Sequence, residues 1–218
     1  MAESLNSEIG GEALREEAAQ RYFEDLDLDW DQLRGRVVLD IGAGLADFAV
    51  IAKRHGIQVT SVEKSPENYM QGQPPNDVPY VVGDARQMPF ETQSFDVVLS
   101  HAGPITNVES ITDFSAMLSE ADRVLKPGGE FRFGPVWVHP SVFGWAKILS
   151  KDEEDHLSEQ ERAILINERV FVFLKQTDSR FERWVSRQSS RTEPFNQYYI
   201  LRKPITEEGS NTGLSVTA

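Results

Sequence analysis

The chain has 218 residues, of which 39% are hydrophobic and 26% charged, and these values are typical of one ordinary globular domain. Cysteine is absent, which excludes a disulfide framework, a thiolate metal site and a cysteine nucleophile, and we predict no metal site. The 22 basic and 35 acidic side chains give a net charge of −13, which argues against an extended nucleic-acid surface. No apolar run approaches the ~18 residues of a membrane span, and the acidic N-terminus lacks an apolar signal region. We therefore expect a cytoplasmic location.

The first 35 residues are predicted to form an N-terminal helical segment. Within residues 12–24, helical spacing places four residues on one side of an amphipathic helix: Leu14, Ala18, Tyr22 and Phe23. The many acidic residues of this segment are interpreted as a solvated surface.

Residues 36–203 are predicted to form a single domain in which apolar runs alternate with helical periodicity. The runs that predict strands lie at 37–41, 57–62, 80–82, 95–99 and 130–133. Helices are predicted over 45–55 and 110–125, the second ended by Lys126-Pro127-Gly128-Gly129. This alternation implies a parallel sheet with right-handed crossovers. Two further segments, 181–187 and 197–202, predict a closing antiparallel pair.

The segment 136–180 is predicted to cover the sheet as a substrate lid. Ser158 and Glu161 have the spacing of a capping box that opens a helix through about residue 176, although 170–173 could instead be a strand. Four aromatic side chains of the lid either line an apolar acceptor pocket or pack as its core: Trp137, Phe143, Trp145 and Phe171. Residues 204–218 predict a flexible tail.

A basic stretch at 180–203 interleaves cationic and aromatic side chains. It could bind an anionic substrate or RNA, but the acidic total favours ordinary side chains of an edge strand.

The stretch Asp40-Ile-Gly42-Ala-Gly44-Leu-Ala46-Asp47 lies between a predicted strand and a predicted helix. Its glycines allow a sharp turn and a close approach to a ligand. Glu63 follows Gly42 by 21 residues, at the end of the next strand, where a carboxylate can accept both hydroxyls of a ribose. The dinucleotide-binding motif has glycine at the position that Asp47 occupies here, and the Asp47 carboxylate would repel a phosphate. Two acids beside a glycine turn suit a ligand with an amine and a sulfonium, as in S-adenosylmethionine.

Four ordered motifs resemble the class I S-adenosylmethionine-dependent methyltransferases. They are VVLDIGAGLADFA, TSVEKS, VVGDARQMPFETQSFDVVLS and EADRVLKPGGEFRF, and together they cover about residues 36–135. The motifs are most similar to the small-molecule branch that includes quinone-biosynthesis methyltransferases. Ala46 departs from the pattern, since the family often has a third glycine there. The resemblance implies a doubly wound, mostly parallel seven-stranded α/β sheet with one antiparallel C-terminal strand.

The resemblance also implies a set of cofactor-binding residues. Gly42 and Gly44 would pass under the methionine portion, Glu63 would bind the ribose diol, and Asp84 would accept from the adenine amino group. The whole set comprises Asp40, Gly42, Ala43, Gly44, Glu63, Lys64, Gly83, Asp84, Ala85, Ser100 and His101.

His101 is the candidate catalytic residue, because it follows the predicted fourth strand near the expected methyl group. It is either a general base or a loop histidine that contacts cofactor or backbone, and His139 is a weaker candidate base. The loop Ser-His-Ala-Gly-Pro differs from the Asn/Asp-Pro-Pro-Tyr/Phe of amino-methylating enzymes. The sequence therefore predicts methyl transfer from S-adenosylmethionine to a small-molecule acceptor. The alternative is a non-catalytic cofactor-binding partner subunit or regulator.

Overall fold

A seven-stranded sheet with helices on both faces is the framework of the protein. The computed structural model describes residues 2–68, 75–106, 111–134, 155–158, 161, 183–188 and 197–205. The strands are β1 Val38–Ile41, β2 Val59–Glu63, β3 Tyr80–Val82, β4 Phe95–His101, β5 Leu125–Gly134, β6 Arg183–Gln188 and β7 Gln197–Arg202. The helices are α1 Ala2–Leu26, α2 Trp30–Leu33, α3 Asp47–Arg54 and α4 Ile111–Val124.

The strands are arranged in the order β3-β2-β1-β4-β5-β7-β6. The first five strands pair in parallel, and β7 lies antiparallel between β5 and β6. The predicted fold class is therefore confirmed. Because the chain builds outward from β1 in one direction and then crosses to β4 in the other, the sheet reverses between β1 and β4. In open sheets of this kind, ligands bind beyond the carboxyl ends of the strands at such a reversal.

Two strands extend by two or more residues beyond a predicted limit, and the other limits differ by at most two residues. β4 continues to His101, so Ser100 and His101 are the last residues of the strand rather than part of the loop after it. Ser100 pairs with Phe133 of β5, and this pairing extends the strand. β5 begins at Leu125, directly after α4, and residues 126–129 form an irregularity within it rather than a separate turn.

Helix α1 is longer than predicted and packs against the sheet at its C-terminal half. Ala19, Tyr22 and Leu26 are buried in one hydrophobic cluster with Phe48 of α3. Leu14, predicted on the same apolar side, is instead 67% exposed. The helical turn that contains Leu14 is held to α3 by ion pairs, Arg15 to Asp47 at 3.0 Å and Glu12 to Arg54 at 2.7 Å. This part of α1 is therefore attached to α3 by charged side chains and not by Leu14.

The opposite face of the sheet is covered by α4. The apolar side of this helix, which was predicted over 110–125, is buried against β4 and β5 in a second hydrophobic cluster. Its buried residues are Phe114, Met117, Leu118, Ala121 and Val124. Within the described part of the chain, no helix combines the length and hydropathy that crossing a membrane requires.

Most of the predicted lid lies outside the described residues, including His139 and the lid's four aromatic side chains. Nearly all of the predicted tail lies outside them as well. The described part of the lid contains the predicted capping box: Ser158 Oγ lies 2.6 Å from Glu161 Oε2, and Glu161 N donates to Ser158 Oγ at 3.3 Å.

Candidate cofactor site

The turn after β1 packs tightly against the loop after β4. Gly42 has a φ of 76°, and a Cβ there would overlap Pro104 and lie 2.9 Å from the Cα of Gly103. The amides of Gly42 and Ala43 both donate to the carbonyl of Val62 in β2, at 2.8 and 3.3 Å. The glycine turn is thus confined between β2 and the loop after β4, and a side chain at position 42 is excluded.

Ala46, which stands where the family often has a third glycine, has left-handed backbone geometry. Its φ is 60°, its ψ is 31°, and it is fully buried at the N-cap of α3. Glycine adopts this conformation without a steric penalty, which explains the family preference, whereas alanine bears a cost of about 1–2 kcal/mol.

Glu63 connects the end of β2 to the glycine turn. One carboxylate oxygen accepts from the amide of Gly44 at 3.2 Å, and the other accepts from the amides of Lys64 and Ser65 at 2.9 and 3.1 Å. The residue is buried, yet it lines the cavity described next. A negative charge held by backbone amides is well placed to accept further hydrogen bonds from a ligand.

A cavity of about 390 Å³ opens at the carboxyl ends of β1 to β4, a volume within the usual range for small-molecule sites. Six predicted cofactor residues line it: Gly42, Glu63, Lys64, Gly83, Asp84 and Ala85. Eight lining residues were not predicted: Ile41, Val62, Arg86, Ala102, Gly103, Pro104, Asp113 and Met117. The sequence signal for Arg86 is its place two residues after Asp84.

A chain of ion pairs follows one wall of the cavity. Arg86 lies 2.6 Å from Asp84 and 2.8 Å from Asp113 of α4, while Lys64 lies 3.0 Å from Asp84. Hydrogen bonds from the Arg86 guanidinium hold the pKa of the Asp84 carboxyl well below its usual range. Asp84 is therefore a stable anion at the place where the resemblance puts the adenine amino group, and in this structure its oxygens bind Arg86 and Lys64.

Asp40 lies beneath the glycine turn and does not line the cavity. It is fully buried, and both of its oxygens accept from the Tyr22 hydroxyl, at 3.1 and 2.9 Å. Burial raises the pKa of Asp40 to about 7, the hydrogen bond from Tyr22 opposes this rise, and the nearby charge of Glu63 adds to it. Burial disfavours the charged form of a carboxyl, and so this group is half protonated near neutral pH.

Ser100 and His101, the last residues of β4, are not among the residues that line the cavity, whereas the next residue, Ala102, is. Ser100 is buried and donates to the carbonyl of Ile41 at 3.0 Å, which joins the ends of β4 and β1. His101 turns toward α1, where its Nε2 lies 2.8 Å from Oδ2 of Asp25. The Tyr22 ring packs on the imidazole with ring centroids 4.6 Å apart.

Asp25 was not identified from the sequence as a functional residue. It belongs to the acidic N-terminal segment interpreted as solvated surface, and that interpretation is wrong for this position, because Asp25 is only 2% exposed. Its partner lies 76 residues away, so no local pattern could connect the two.

The model of a family described as "Methyltransferase domain" matches residues 39–133. The Cereibacter sphaeroides ubiquinone/menaquinone biosynthesis C-methyltransferase UbiE is 34% identical over 119 residues, which cover 50% of this chain and 46% of that protein. A Corynebacterium glutamicum demethylmenaquinone methyltransferase is 31% identical over 140 residues, 64% of this chain and 58% of that protein. The chain therefore matches about half the length of these curated relatives.

Residues 39–133 of this chain are therefore similar to a methyltransferase domain. A solved structure of a Methanococcus maripaludis protein described as an S-adenosylmethionine-dependent methyltransferase has the same fold. Its TM-score is 0.53 at 15% identity, and the match covers 88% of this chain and 85% of that one.

The cavity suits S-adenosylmethionine, the cofactor that the resemblance implies. A buried carboxylate at the end of β2 can accept ribose hydroxyls, and apolar side chains from Val62 and Met117 can flank the adenine ring. Glu63, Asp84 and Asp113 bring negative charge to the cavity, and Lys64 and Arg86 balance part of it through the ion pairs above. The lining keeps a net negative charge, which favours a cationic ligand over a diphosphate.

Proposed function

We propose that this protein transfers a methyl group from S-adenosylmethionine to a small-molecule acceptor. The observation that carries the proposal is the cavity beside the sheet reversal, because residues from three motifs of a methyltransferase-family sequence line it together. Glu63 is the central residue of this group, since it is buried, lines the cavity and holds the glycine turn through its carboxylate.

The residues of this chain would divide the work between binding and alignment. Glu63 would hold the ribose, the backbone of Gly83 to Ala85 would contact the adenine, and the glycine turn would place the methionine portion. When bound, S-adenosylmethionine supplies a methyl group that its positively charged sulfur already activates. The protein must then mainly align the acceptor and exclude water. A base is needed only when the acceptor must lose a proton, and His101 is the candidate for that task.

We further propose that the acceptor is a reduced quinone. The support is the naming of the two curated relatives above, which act in ubiquinone and menaquinone biosynthesis or on demethylmenaquinone. A hydroquinone carries acidic hydroxyl protons, so its methylation is the kind of reaction in which a base such as His101 would have a role.

The experiment that tests the proposal incubates the protein with S-adenosylmethionine labelled in its methyl group and chemically reduced demethylmenaquinone. We expect protein-dependent label in the organic extract, and we expect its loss in the Glu63→Ala variant. A second mixture replaces the quinone with the small molecules of a cell extract. Label transferred only in this second mixture would overturn the quinone acceptor and keep the proposed methyl transfer. Binding of S-adenosylhomocysteine without label in either mixture would support the non-catalytic alternative and overturn the enzyme.

A further inference from the structure

Helix α1 contributes two side chains to the end of β4, where the proposed base lies. Tyr22 and Asp25 are three residues apart, which places them on one face of the helix. Both point at the sheet: Tyr22 donates to Asp40, and Asp25 lies 2.8 Å from Nε2 of His101. The side chain of Asp25 is 2% exposed and that of His101 is 14% exposed, so the pair is shielded from water.

The backbone of His101 is held by the sheet. His101 pairs with Gly134 of β5, and the amide of Ala102 donates to the carbonyl of Gly134 at 2.7 Å. The next residue, Gly103, lies so close to β1 that a Cβ would lie 2.6 Å from the carbonyl of Ile41. The main chain around His101 is therefore confined, and only the orientation of its ring remains to be set.

Helix α1 sets that orientation from two sides. The Tyr22 ring packs against the imidazole at an interplanar angle of 31°, and it is stacked in turn on Phe48 at a centroid distance of 4.2 Å. Asp25 binds the edge of the ring at Nε2. Among the described residues, the other ring nitrogen, Nδ1, has no hydrogen-bond partner.

The chemistry of the pair selects one tautomer. An ionised carboxylate can only accept hydrogen bonds, so the nitrogen that faces Asp25 must carry the proton. In a neutral imidazole the second nitrogen is then a bare acceptor. A buried aspartate also orients and stabilises a catalytic histidine in the serine hydrolases, where it binds Nδ1 and leaves Nε2 as the base.

We propose that Asp25 is a positioning residue that holds His101 with its proton on Nε2, so that Nδ1 is the nitrogen that receives the proton of the acceptor. The inference rests on the proposed methyl transfer and assigns a part of that reaction to α1. In the step itself, the acceptor's bond to hydrogen breaks, its electron pair stays on the acceptor, and a new N–H bond forms at Nδ1. The imidazolium that results is balanced by the carboxylate of Asp25.

The docking of α1 does not depend on Asp25 alone, which makes the inference testable by substitution. Arg132 of β5 donates to the carbonyls of Leu26, at 3.1 Å, and Asp27 at the C-terminal end of the helix. Arg15 pairs with Asp47 further along. We therefore expect an Asp25→Asn variant to fold with α1 in place.

The primary measurement is the tautomer of His101 in the free protein, from long-range ¹H–¹⁵N correlation NMR. In the wild type, Nδ1 should give the shift of a bare nitrogen and Nε2 that of a protonated one. Asp25→Asn should lose this preference, because an amide can donate to Nε2 as well as accept from it. Asp25→Glu, which keeps the carboxylate, should retain the wild-type pattern in part. Asp31→Asn, at an exposed acid on α2, is the matched control and should leave it unchanged.

The second measurement separates positioning from mere docking. Asp25→Asn should lower turnover of labelled S-adenosylmethionine with reduced demethylmenaquinone at least about tenfold, with the affinity for S-adenosylhomocysteine within about twofold. A proton on Nδ1 in the wild type, or a loss of affinity and turnover together, would overturn the role of Asp25 and leave the proposed function standing. Failure of the wild type to bind S-adenosylhomocysteine would overturn the proposed function itself.

Discussion

Asp40 shows how strongly the fold can change the chemistry of a single side chain. It is the last but one residue of β1, it has no exposed surface, and its pKa is raised to about 7 by burial. An aspartate in the unfolded chain keeps a pKa near 3.9. The native state therefore binds a proton at pH values where the unfolded state has released it, and protonation at this residue favours the fold.

This linkage predicts the pH dependence of an Asp40→Asn variant. The stabilising effect of the raised pKa is fully present below about pH 4 and is lost as the pH rises through about 7. Asparagine cannot ionise, so relative to the wild type the variant should gain about 2–3 kcal/mol of unfolding free energy between pH 5 and pH 8. Urea unfolding of both proteins at the two pH values measures the difference. Equal differences at pH 5 and pH 8 would show that Asp40 titrates normally.

The Glu63 carboxylate is expected to contribute much of the affinity for the cofactor. Glu63→Ala removes a carboxylate whose charge-assisted hydrogen bonds to a ribose are worth roughly 1.5–3 kcal/mol. Affinity for S-adenosylhomocysteine should therefore fall about ten- to a hundredfold by calorimetry. Asp31→Ala removes an exposed acid outside the cavity and serves as the control. An affinity within about twofold of the wild type would exclude Glu63 from the ribose site.

At the scale of elements, the buried side chain of Arg132 connects the C-terminal end of α1 to β5. The Arg132 side chain donates to Glu130 at 2.9 Å and to the terminal carbonyls of α1, and both charged side chains are at most 6% exposed. Arg36 also reaches Glu130, at 3.1 Å. A cation at this end of a helix satisfies carbonyls that lack intrahelical partners and interacts favourably with the helix dipole.

Removing that cation should destabilise the fold more than the loss of an ordinary ion pair. Arg132→Met leaves the buried charge of Glu130 with its more exposed partners and leaves the carbonyls of Leu26 and Asp27 without this donor, so we expect a loss of about 3–5 kcal/mol in urea unfolding. Arg34→Met breaks an exposed pair with Asp31 and should cost less than about 1 kcal/mol. If both variants lost equally little, α1 would not be anchored through Arg132.

At the scale of the whole molecule, the alternation of apolar runs and helical periodicity was enough to predict a parallel sheet, and the resemblance supplied its seven strands. Parallel strands need crossovers, and the pattern from Val38 to Phe133 allows few other arrangements. The predicted closing pair is confirmed as well, since β6 and β7 pair antiparallel. It could be predicted because turn residues flank both segments in the sequence. The irregularity at 126–129 was missed, since proline and glycines predict a turn regardless of whether the neighbouring strand continues past them.

The candidate cofactor site was only partly predictable, because some of its properties depend on contacts between distant parts of the chain. Glycine turns and acidic strand ends are local signals, and they indicated Gly42 and Glu63. The other four predicted residues that line the cavity were implied by the family resemblance, namely Lys64, Gly83, Asp84 and Ala85. Burial of a charge depends on what the rest of the chain brings to it. Asp25 resembled its solvated neighbours in the sequence, and only the docking of α1 on β4 gives it His101 as a partner. Asp40 likewise owes its protonation to complete burial, which no composition reveals.

The proposed function requires that the cavity at the sheet reversal binds S-adenosylmethionine and not a dinucleotide. Calorimetric titration of the wild-type protein with S-adenosylhomocysteine and, separately, with NAD tests it most directly. The net negative charge of the cavity lining disfavours the diphosphate of NAD, and the buried Glu63 carboxylate is placed to accept ribose hydroxyls. We therefore expect S-adenosylhomocysteine to bind with a stoichiometry of about one and at least tenfold more tightly than NAD, a difference of about 1.4 kcal/mol or more. Tighter binding of NAD, or no heat of binding with S-adenosylhomocysteine, would contradict the account.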